Sequence, residues 1–274
     1  VDTTAPTVAG STDQADGVYT IGETINVTLT FAEAVNLTGT DGLDITLDTG
    51  DVLNVAEGDL TNATTVTTVY TVGSGDTSAD LSISSVALGA NATLTDAAGN
   101  AADLSSLTAN IGDSDAIVID TAAPTLDSGN APSVATNQIV GASGDSAGET
   151  VALTITFDSA VNGLTSGTDS TIFTLGETGT EATWSGADGT TTRTLTYTIA
   201  NGDNGQVAID EANLKAALEA GITDVAGNAF AYTANSGFIA DIDATALPVV
   251  DTTAPTVAGS TDQADGVYTI GETI

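Results

Sequence analysis

Apolar and polar residues alternate along several short stretches of this chain. In Ile25–Phe31 (INVTLTF) and Val151–Phe157 (VALTITF) every second residue is apolar, and the residues between them are Asn, Ala or Thr. A period of two is typical of β-strands that bury one face. The pattern predicts further strands, rich in Thr, Val and Tyr, at Leu43–Asp48, Ala63–Val72 and Thr192–Ile199.

One stretch has a helical period instead. In Asp210–Gly221 (DEANLKAALEAG) the side chains of Leu214, Ala217 and Leu218 fall on one side, and Gly221 is a typical helix stop. Clusters of Gly, Asp and Asn between the apolar runs predict turns. About seven short strands in about 120 residues predict an all-β protein of immunoglobulin-like β-sandwich domains.

The chain repeats itself at two scales. Residues 1–25 recur without a change at 250–274, and Asp2–Val8 (DTTAPTV) is echoed by Asp120–Leu126 (DTAAPTL). Three further landmarks follow in the same order in both halves: Gly22–Asn36 with Gly148–Asn162, Thr68–Asp76 with Leu195–Asp203, and Leu94–Ala102 with Ile222–Phe230. These repeats predict one sandwich at 1–119, a second with a short helix at 120–250, and the incomplete start of a third at 251–274.

The predicted connections between the repeats are short, and each carries a proline: Pro6, Pro124 and Pro255. A proline restricts the backbone on both sides of its peptide bond. We therefore expect tandem domains arranged end to end, with restricted hinges and with neighbouring repeats of the same chain as partners.

The charge is extreme, with 37 Asp and Glu residues against two basic residues, Arg193 and Lys215, and a net charge of −35. This balance argues against nucleic acid and anionic membranes as partners. No apolar run approaches the roughly 18 residues of a spanning helix, so we expect no membrane contact. The carboxylates must be dispersed in water, screened by salt or bound to cations. Adaptation to high salt is an alternative cause of the acidity.

The chain contains no Cys and no His, which removes disulfides, zinc sites and the common nucleophilic triads. Carboxylate pairs for sugar chemistry are not marked by any pattern, and the single Trp, Trp184, is interpreted as a core or strand residue. We therefore expect no enzymatic activity.

Three motifs resemble a known family. They are D-T-T-A-P at Asp2–Pro6, F-A-E-A-V at Phe31–Val35 and T-D-A-A-G-N-A-A at Thr95–Ala102. Together they resemble the bacterial immunoglobulin-like (cadherin-like) extender repeats of large secreted RTX-type adhesins. The resemblance implies a structural spacer at the bacterial cell surface, outside the cell, which projects a distal binding domain and is stiffened by calcium at its domain junctions.

Calcium binds six to eight oxygen ligands, and acidic residues crowd the predicted junctions. They are Asp96, Asp113, Asp115 and Asp120 at the first junction, and Asp224, Asp241, Asp243 and Asp251 at the second. The resemblance supports Asp2, Glu33, Asp96 and Asp120 as ligands in the first domain. In the second domain Ser159 aligns with Glu33, and the nearest acid, Asp158, is one residue earlier, which on a strand points to the opposite face.

Other readings of the same residues remain open. D-A-A-G-N is also a good Asx turn, in which the Asp side chain binds backbone N–H groups. Asp13, Asp16 and Asp76 are interpreted as solvated turn residues. For the whole chain, the alternatives to a spacer are a self-assembling fibre or surface-layer subunit, and a module that binds sugar, ice or a host protein.

Overall fold

The computed structural model describes residues 1–130, 132–137, 148–175, 178–232, 247–253, 256, 257, 259 and 270. Strands make up 50% of the structure, and one α-helix lies among the described residues. The protein is therefore all-β, as the alternating pattern predicted. The predicted third repeat falls almost wholly outside the described residues.

The described chain divides into two compact units. The first unit contains Val1–Pro124 and Thr223–Phe230, and the second contains Thr125–Ile222 and the described part of Ala231–Ile274. The domain boundaries suggested by the sequence repeats, at 119/120 and 250/251, stay predictions.

The first 124 residues form eleven strands and a 3₁₀ helix at Ile111–Asp113. The strands are β1 (Thr7–Ser11), β2 (Gly17–Tyr19), β3 (Thr24–Gly39), β4 (Leu43–Leu47), β5 (Val52–Val55), β6 (Ala63–Thr71), β7 (Thr77–Ser78), β8 (Ile83–Leu88), β9 (Ala92–Asp96), β10 (Asp103–Leu107) and β11 (Ile117–Asp120). They make a sheet of order β10-β1-β3-β6 with β9 also paired to β3, and two three-stranded sheets of order β2-β11-β7 and β5-β4-β8.

The inward residues of these three sheets form one hydrophobic core. The alternation in β3 buries Ile25, Val27, Leu29 and Phe31, each at most 2% exposed. They join Tyr70 of the same sheet, Leu81 of a connection, and side chains of the other two sheets, including Leu43, Ile45, Leu47, Ile117 and Ile119. Thr and Asn of the same strands lie on the other face, as the period of two requires.

Strand β3 is longer than the predicted Ile25–Phe31. Its pairing with β6 shifts register between Thr30 and Val35, and from Val35 to Gly39 it pairs with β9 instead. The shift is a β-bulge, after which apolar alternation resumes with buried Val35 and Leu37. The bulge interrupts the sequence period, which is why the pattern suggested an earlier end.

The described part of the remaining chain contributes ten further strands and a helix. The strands are β12 (Ser133–Asn137), β13 (Thr150–Asn162), β14 (Thr168–Asp169), β15 (Phe173–Leu175), β16 (Thr178–Gly179), β17 (Ala182–Ser185), β18 (Thr190–Thr198), β19 (Asn204–Ile209), β20 (Thr223–Asp224) and β21 (Val249–Asp251). The second unit contains sheets of order β12-β13-β18-β17-β14 and β16-β15-β19-β21. Val151, Leu153, Ile155 and Phe157 are buried, as predicted.

The helix α1 (Glu211–Gly221) confirms the helix that the sequence predicted at Asp210–Gly221. Asp210 is its N-cap, and the Asp210 side chain accepts a hydrogen bond from the backbone N–H of Asn213 at 3.0 Å. Leu214 and Leu218 are buried, so the apolar side of the helix faces the core.

A buried arginine closes an irregular strand end in the second unit. Arg193 on β18 is fully buried, and its guanidinium donates to the backbone carbonyls of Val161 at 2.7 Å, Gly163 at 2.5 Å and Thr192 at 2.7 Å. Strand β13 ends just before Gly163, which has a φ of +90°. Arg193 thus supplies hydrogen-bond donors where the strand ladder stops.

Candidate metal centre

Three acidic side chains meet in the first unit. Asp2 precedes β1, Glu33 lies in the bulge of β3, and Asp96 is the last residue of β9. One carboxylate oxygen of each lies within 4.8 Å of the others. Asp2 is exposed, Glu33 is half-buried, and Asp96 is 5% exposed. The family resemblance grouped these residues with Asp120 in one ligand set; the fold brings Asp2, Glu33 and Asp96 together, and we call them the acidic triad.

The turn after β9 fixes the carboxylate of Asp96. Its oxygens accept hydrogen bonds from the backbone N–H of Asn100 at 2.8 Å and from the Asn100 side-chain amide at 2.7 Å. Gly99 in this turn has a φ of +93°, a conformation that favours glycine. The Asx-turn reading of D-A-A-G-N is therefore correct.

Asn100 also ties the entry segment to this turn. Its side-chain amide donates to the backbone carbonyl of Asp2 at 3.3 Å, and the Asp2 carboxylate accepts from the backbone N–H of Thr4 at 3.0 Å. One amide side chain therefore contacts two members of the acidic triad, which positions Asp2 beside Asp96.

The triad concentrates negative charge. Desolvation, followed by the charges of Asp2 and Asp96, raises the pKa of Glu33 above its ordinary value of 4.5. Desolvation also acts to raise the pKa of Asp96, but hydrogen bonds from Asn100 and from the backbone of Ala98 and Gly99 outweigh it and lower the pKa below 3.8. Three converging carboxylates suit a hard divalent cation, whose remaining positions carbonyls and water would fill.

The second repeat contains the same Asp-Asn turn, formed by Asp224 and Asn228. Asp224 is 5% exposed and accepts from the backbone N–H of Asn228 at 2.8 Å and from its side-chain amide at 2.9 Å. The Asn228 amide also donates to the backbone carbonyl of Asp120 at 3.1 Å. Asp120 and Asp224 are therefore related to each other as Asp2 and Asp96 are.

The second repeat has no acidic residue at the position that corresponds to Glu33. Ser159 aligns with Glu33, and the neighbouring Asp158 binds both the backbone N–H and the hydroxyl of Thr125, at 2.8 and 2.7 Å. Within the described part of the chain, the acidic triad is the one group of three acids close enough to share a metal ion.

The remaining ligand candidates lie in local hydrogen bonds or outside the described residues. Asp113 accepts from the backbone N–H of Asn110 at 2.7 Å, Asp115 from the hydroxyl of Ser114 at 2.7 Å, and Asp251 from the backbone N–H of Thr253 at 2.9 Å. Asp241 and Asp243 lie outside the described residues. A metal-binding role for these acids stays a prediction.

Sequence reasoning missed a second arrangement that occurs in both repeats, in which a tyrosine hydroxyl binds the aspartate of the turn that follows it. The hydroxyl of buried Tyr70 donates to the carboxylate of Asp76 at 2.7 Å, and Asp76 also accepts from the backbone N–H of Gly73 at 2.6 Å. The hydroxyl of Tyr197 donates to Asp203 in the second unit. Asp76 is thus half-buried rather than solvated, and the Tyr-x₅-Asp spacing in both repeats was the available signal.

These features define an all-β protein with an acidic triad beside its entry segment. No protein-family model matches the chain, and no curated protein matches it. Across the described residues, no helix combines the length and apolar character needed to cross a membrane.

Proposed function

We propose that this chain is a non-enzymatic spacer segment of a bacterial surface protein, built from tandem immunoglobulin-like sandwiches and stiffened by calcium. The repeated landmarks and their matching contacts support a tandem design: the Asp-Asn turn and the Tyr-Asp turn each occur twice. The net charge of −35 supports a chain that works in the presence of cations.

The acidic triad carries this proposal. Asp2 comes from the entry segment, whereas Glu33 and Asp96 come from strands of the sheet below it. A cation bound to all three would join the entry segment to the sheet. Desolvation and the charges of Asp2 and Asp96 raise the pKa of Glu33. Without a cation, repulsion among the three carboxylates would loosen this connection. Calcium would therefore restrict the hinge next to Pro6.

The choice of calcium rests on ligand chemistry. Carboxylate oxygens of Asp and Glu are hard ligands, and the chain offers no Cys or His for softer metals. Glu33 on an irregular bulge and Asp2 on a connecting segment suit the flexible coordination that calcium accepts.

Calorimetric titration of the dialysed chain with calcium tests this function. We expect saturable binding and a higher melting temperature with calcium than with chelator. Glu33→Gln should weaken binding by about tenfold or more, because it removes one charged ligand. Glu57→Gln, the same change at an exposed turn residue, is the matched control and should leave binding unchanged. Equal affinity in the two variants, or no saturable binding, would contradict the proposal.

A further inference from the structure

Strand β6 lies at an edge of its sheet. It runs for nine residues, pairs with β3 on one side, and has no strand of the described chain on the other. Directly after β6, the N–H of Val72 donates to the carbonyl of Glu23 and its carbonyl accepts from the N–H of Gly22, each at 2.9 Å, so both groups point to the side of β3. In an antiparallel strand such residues alternate with residues whose backbone groups point the other way. We call these alternate residues the free edge of β6: Thr65, Thr67, Val69 and Thr71.

The matching strand of the second unit carries another strand on this side. β18 occupies the place of β6 in the repeat, since Thr68–Asp76 aligns with Leu195–Asp203. β18 lies between β13 and β17, and its residues paired with β17 include Thr194 and Thr196. These two threonines correspond to Thr67 and Val69 of the free edge. The fold of the repeat therefore accommodates an antiparallel strand here.

The added strand also completes the burial of the inner face. On β18, Arg193 and Leu195 are fully buried, and Trp184 of β17 lies opposite Leu195. The corresponding residues of β6, Val66 and Thr68, are only half-buried. Residues 56–62, which join β5 to β6, form no strand that could cover them. The first unit thus leaves open a position that the second unit fills.

Strand β6 lacks the usual protection of an edge strand. Its sequence, A-T-T-V-T-T-V-Y-T, has no charged residue and no proline, although the chain has a net charge of −35. Charged side chains and prolines commonly keep edge strands from pairing with other chains, whereas Thr, Val and Tyr favour strands. A basic partner would find no carboxylate on β6. The free edge therefore suits an uncharged, β-branched strand, which a second β6 provides.

We propose that β6 pairs antiparallel with β6 of a second copy. Full overlap of the two strands places a twofold axis at Thr67, with Thr67 opposite Thr67 of the second copy and Thr65 opposite Val69. These residues all belong to the free edge, so their N–H and C=O groups face each other and form the hydrogen-bonded pairs. The same patch is used on both copies, which makes the contact isologous and the dimer closed. This inference goes beyond the spacer function and does not rest on cation binding at the acidic triad.

A single strand pair is a weak contact, and the net charge opposes it. One strand from each copy buries less surface than a standard interface of about 1,600 Å². Two copies, each with a charge of −35, repel each other until salt screens them. We therefore expect a reversible dimer that becomes more stable as salt is added.

Sedimentation of the full chain in chelator tests the dimer, at protein concentrations up to about 1 mM and salt of about 0.15 M or more. Thr67→Glu should weaken dimerisation about fivefold or more, because it places two carboxylates directly opposite each other. Thr93→Glu is the matched control. Thr67 and Thr93 are both exposed strand residues, and each hydroxyl lies 2.8 Å from another threonine hydroxyl, on Thr28 and Thr38 respectively. Absence of a dimer, or an equal effect of the two variants, would overturn the proposal.

Disulfide trapping tests the register, because the chain has no cysteine. In the proposed dimer the Cα atoms of the two Thr67 residues lie about 5.5 Å apart, which a disulfide can span. We expect Thr67→Cys to crosslink about tenfold faster than Thr93→Cys. A mixture of Thr65→Cys and Val69→Cys chains should form the mixed disulfide in excess of either symmetric one.

The trapping result also covers a folding defect. If Thr67→Glu lowers the melting temperature more than Thr93→Glu does, the cysteine variants decide, since cysteine adds no charge at pH 7 and is close to threonine in size. Crosslinking of Thr67→Cys no faster than Thr93→Cys would overturn the proposal even if a dimer forms, because the copies would then meet through another surface.

Discussion

Replacing Arg193 by methionine should destabilise the second unit without affecting the first. The Arg193 guanidinium is fully buried and donates to three backbone carbonyls and to the hydroxyl of Thr190, at 3.1 Å. Its nearest carboxylate, on Asp188, is 3.7 Å away on a side chain that is 64% exposed. The backbone carbonyls, rather than a buried ion pair, are therefore its main partners.

The magnitude follows from the carbonyls that lose a donor. The carbonyl of Val161 keeps a hydrogen bond from the backbone of Gly189 at 3.0 Å, whereas those of Gly163 and Thr192 lose their bond to the guanidinium. A buried acceptor left without its donor costs about 1–3 kcal/mol. This cost falls mainly on Gly163, which is half-buried, because Thr192 is exposed and its carbonyl also accepts from the Thr190 hydroxyl at 3.5 Å. Removing a buried charge returns part of this cost, because its desolvation is relieved. We expect a net loss of about 2 kcal/mol in the free energy of unfolding.

Urea unfolding followed by Trp184 fluorescence measures this loss. Trp184 is the only tryptophan, is 4% exposed and lies opposite Leu195 on β18, so its signal reports the second unit. With a slope of about 2 kcal/mol per molar urea, the midpoint should fall by about 1 M. Lys215→Met is the matched control, because both variants remove one positive charge.

Lys215 contributes little to stability, because its only ion pair in the described structure, with Glu219 at 3.8 Å, is partly exposed. We expect Lys215→Met to cost no more than about 0.5 kcal/mol. If Arg193→Met shifts the midpoint no further than Lys215→Met, the buried hydrogen bonds do not stabilise the unit as argued here.

Three further predictions concern the first unit. Tyr70→Phe removes the hydrogen bond to Asp76 and should lower the free energy of unfolding by about 1–3 kcal/mol in calorimetry; an unchanged melting temperature would contradict this. In chelator, Glu33→Gln should raise the melting temperature at pH 7. The raised pKa of Glu33 means that its ionisation destabilises the folded state as the pH rises through that pKa, and glutamine does not ionise. A lowered melting temperature would contradict this. Hydrogen bonds from the backbone and side chain of Asn91 lower the pKa of Asp41. These bonds to the ionised carboxylate stabilise the folded state above the pKa of Asp41 in the unfolded chain, and the stabilisation is lost in acid. Asn91→Ala removes the side-chain bond and keeps the backbone bond. It should therefore flatten in part the loss of stability on acidification below about pH 4, measured by melting at several pH values.

The period-two pattern was sufficient to predict the class of fold. Val151–Phe157 alternates in sequence and buries the expected side chains, because a strand with one face against a core must place every second residue inward. The helix at Glu211–Gly221 was equally visible, since its cap and its apolar residues lie close together in sequence. The strand and the helix depend on residues that lie close together in the sequence, so the sequence alone was sufficient to predict them.

The candidate site was predicted in part. Asp2, Glu33 and Asp96 were grouped by resemblance, but nothing in their spacing places them within reach of one another. The bulge of β3 and the Asn100 bond to the entry segment decide that placement. Asp113 and Asp115 have the same residue type and a similar setting in sequence, yet they enter local hydrogen bonds instead.

Arg193 shows the same division between sequence and structure. It is in phase with Leu195 and Tyr197 on β18, and all three side chains are buried. Its partners could not be read from the sequence, because they are carbonyls about 30 residues away that become available only where β13 ends. By itself the sequence determined the strands, the helix, the repeats and the excess of negative charge. Tertiary structure alone decided which acids converge and which polar groups are paired, because those contacts depend on register and bulges that join distant parts of the chain.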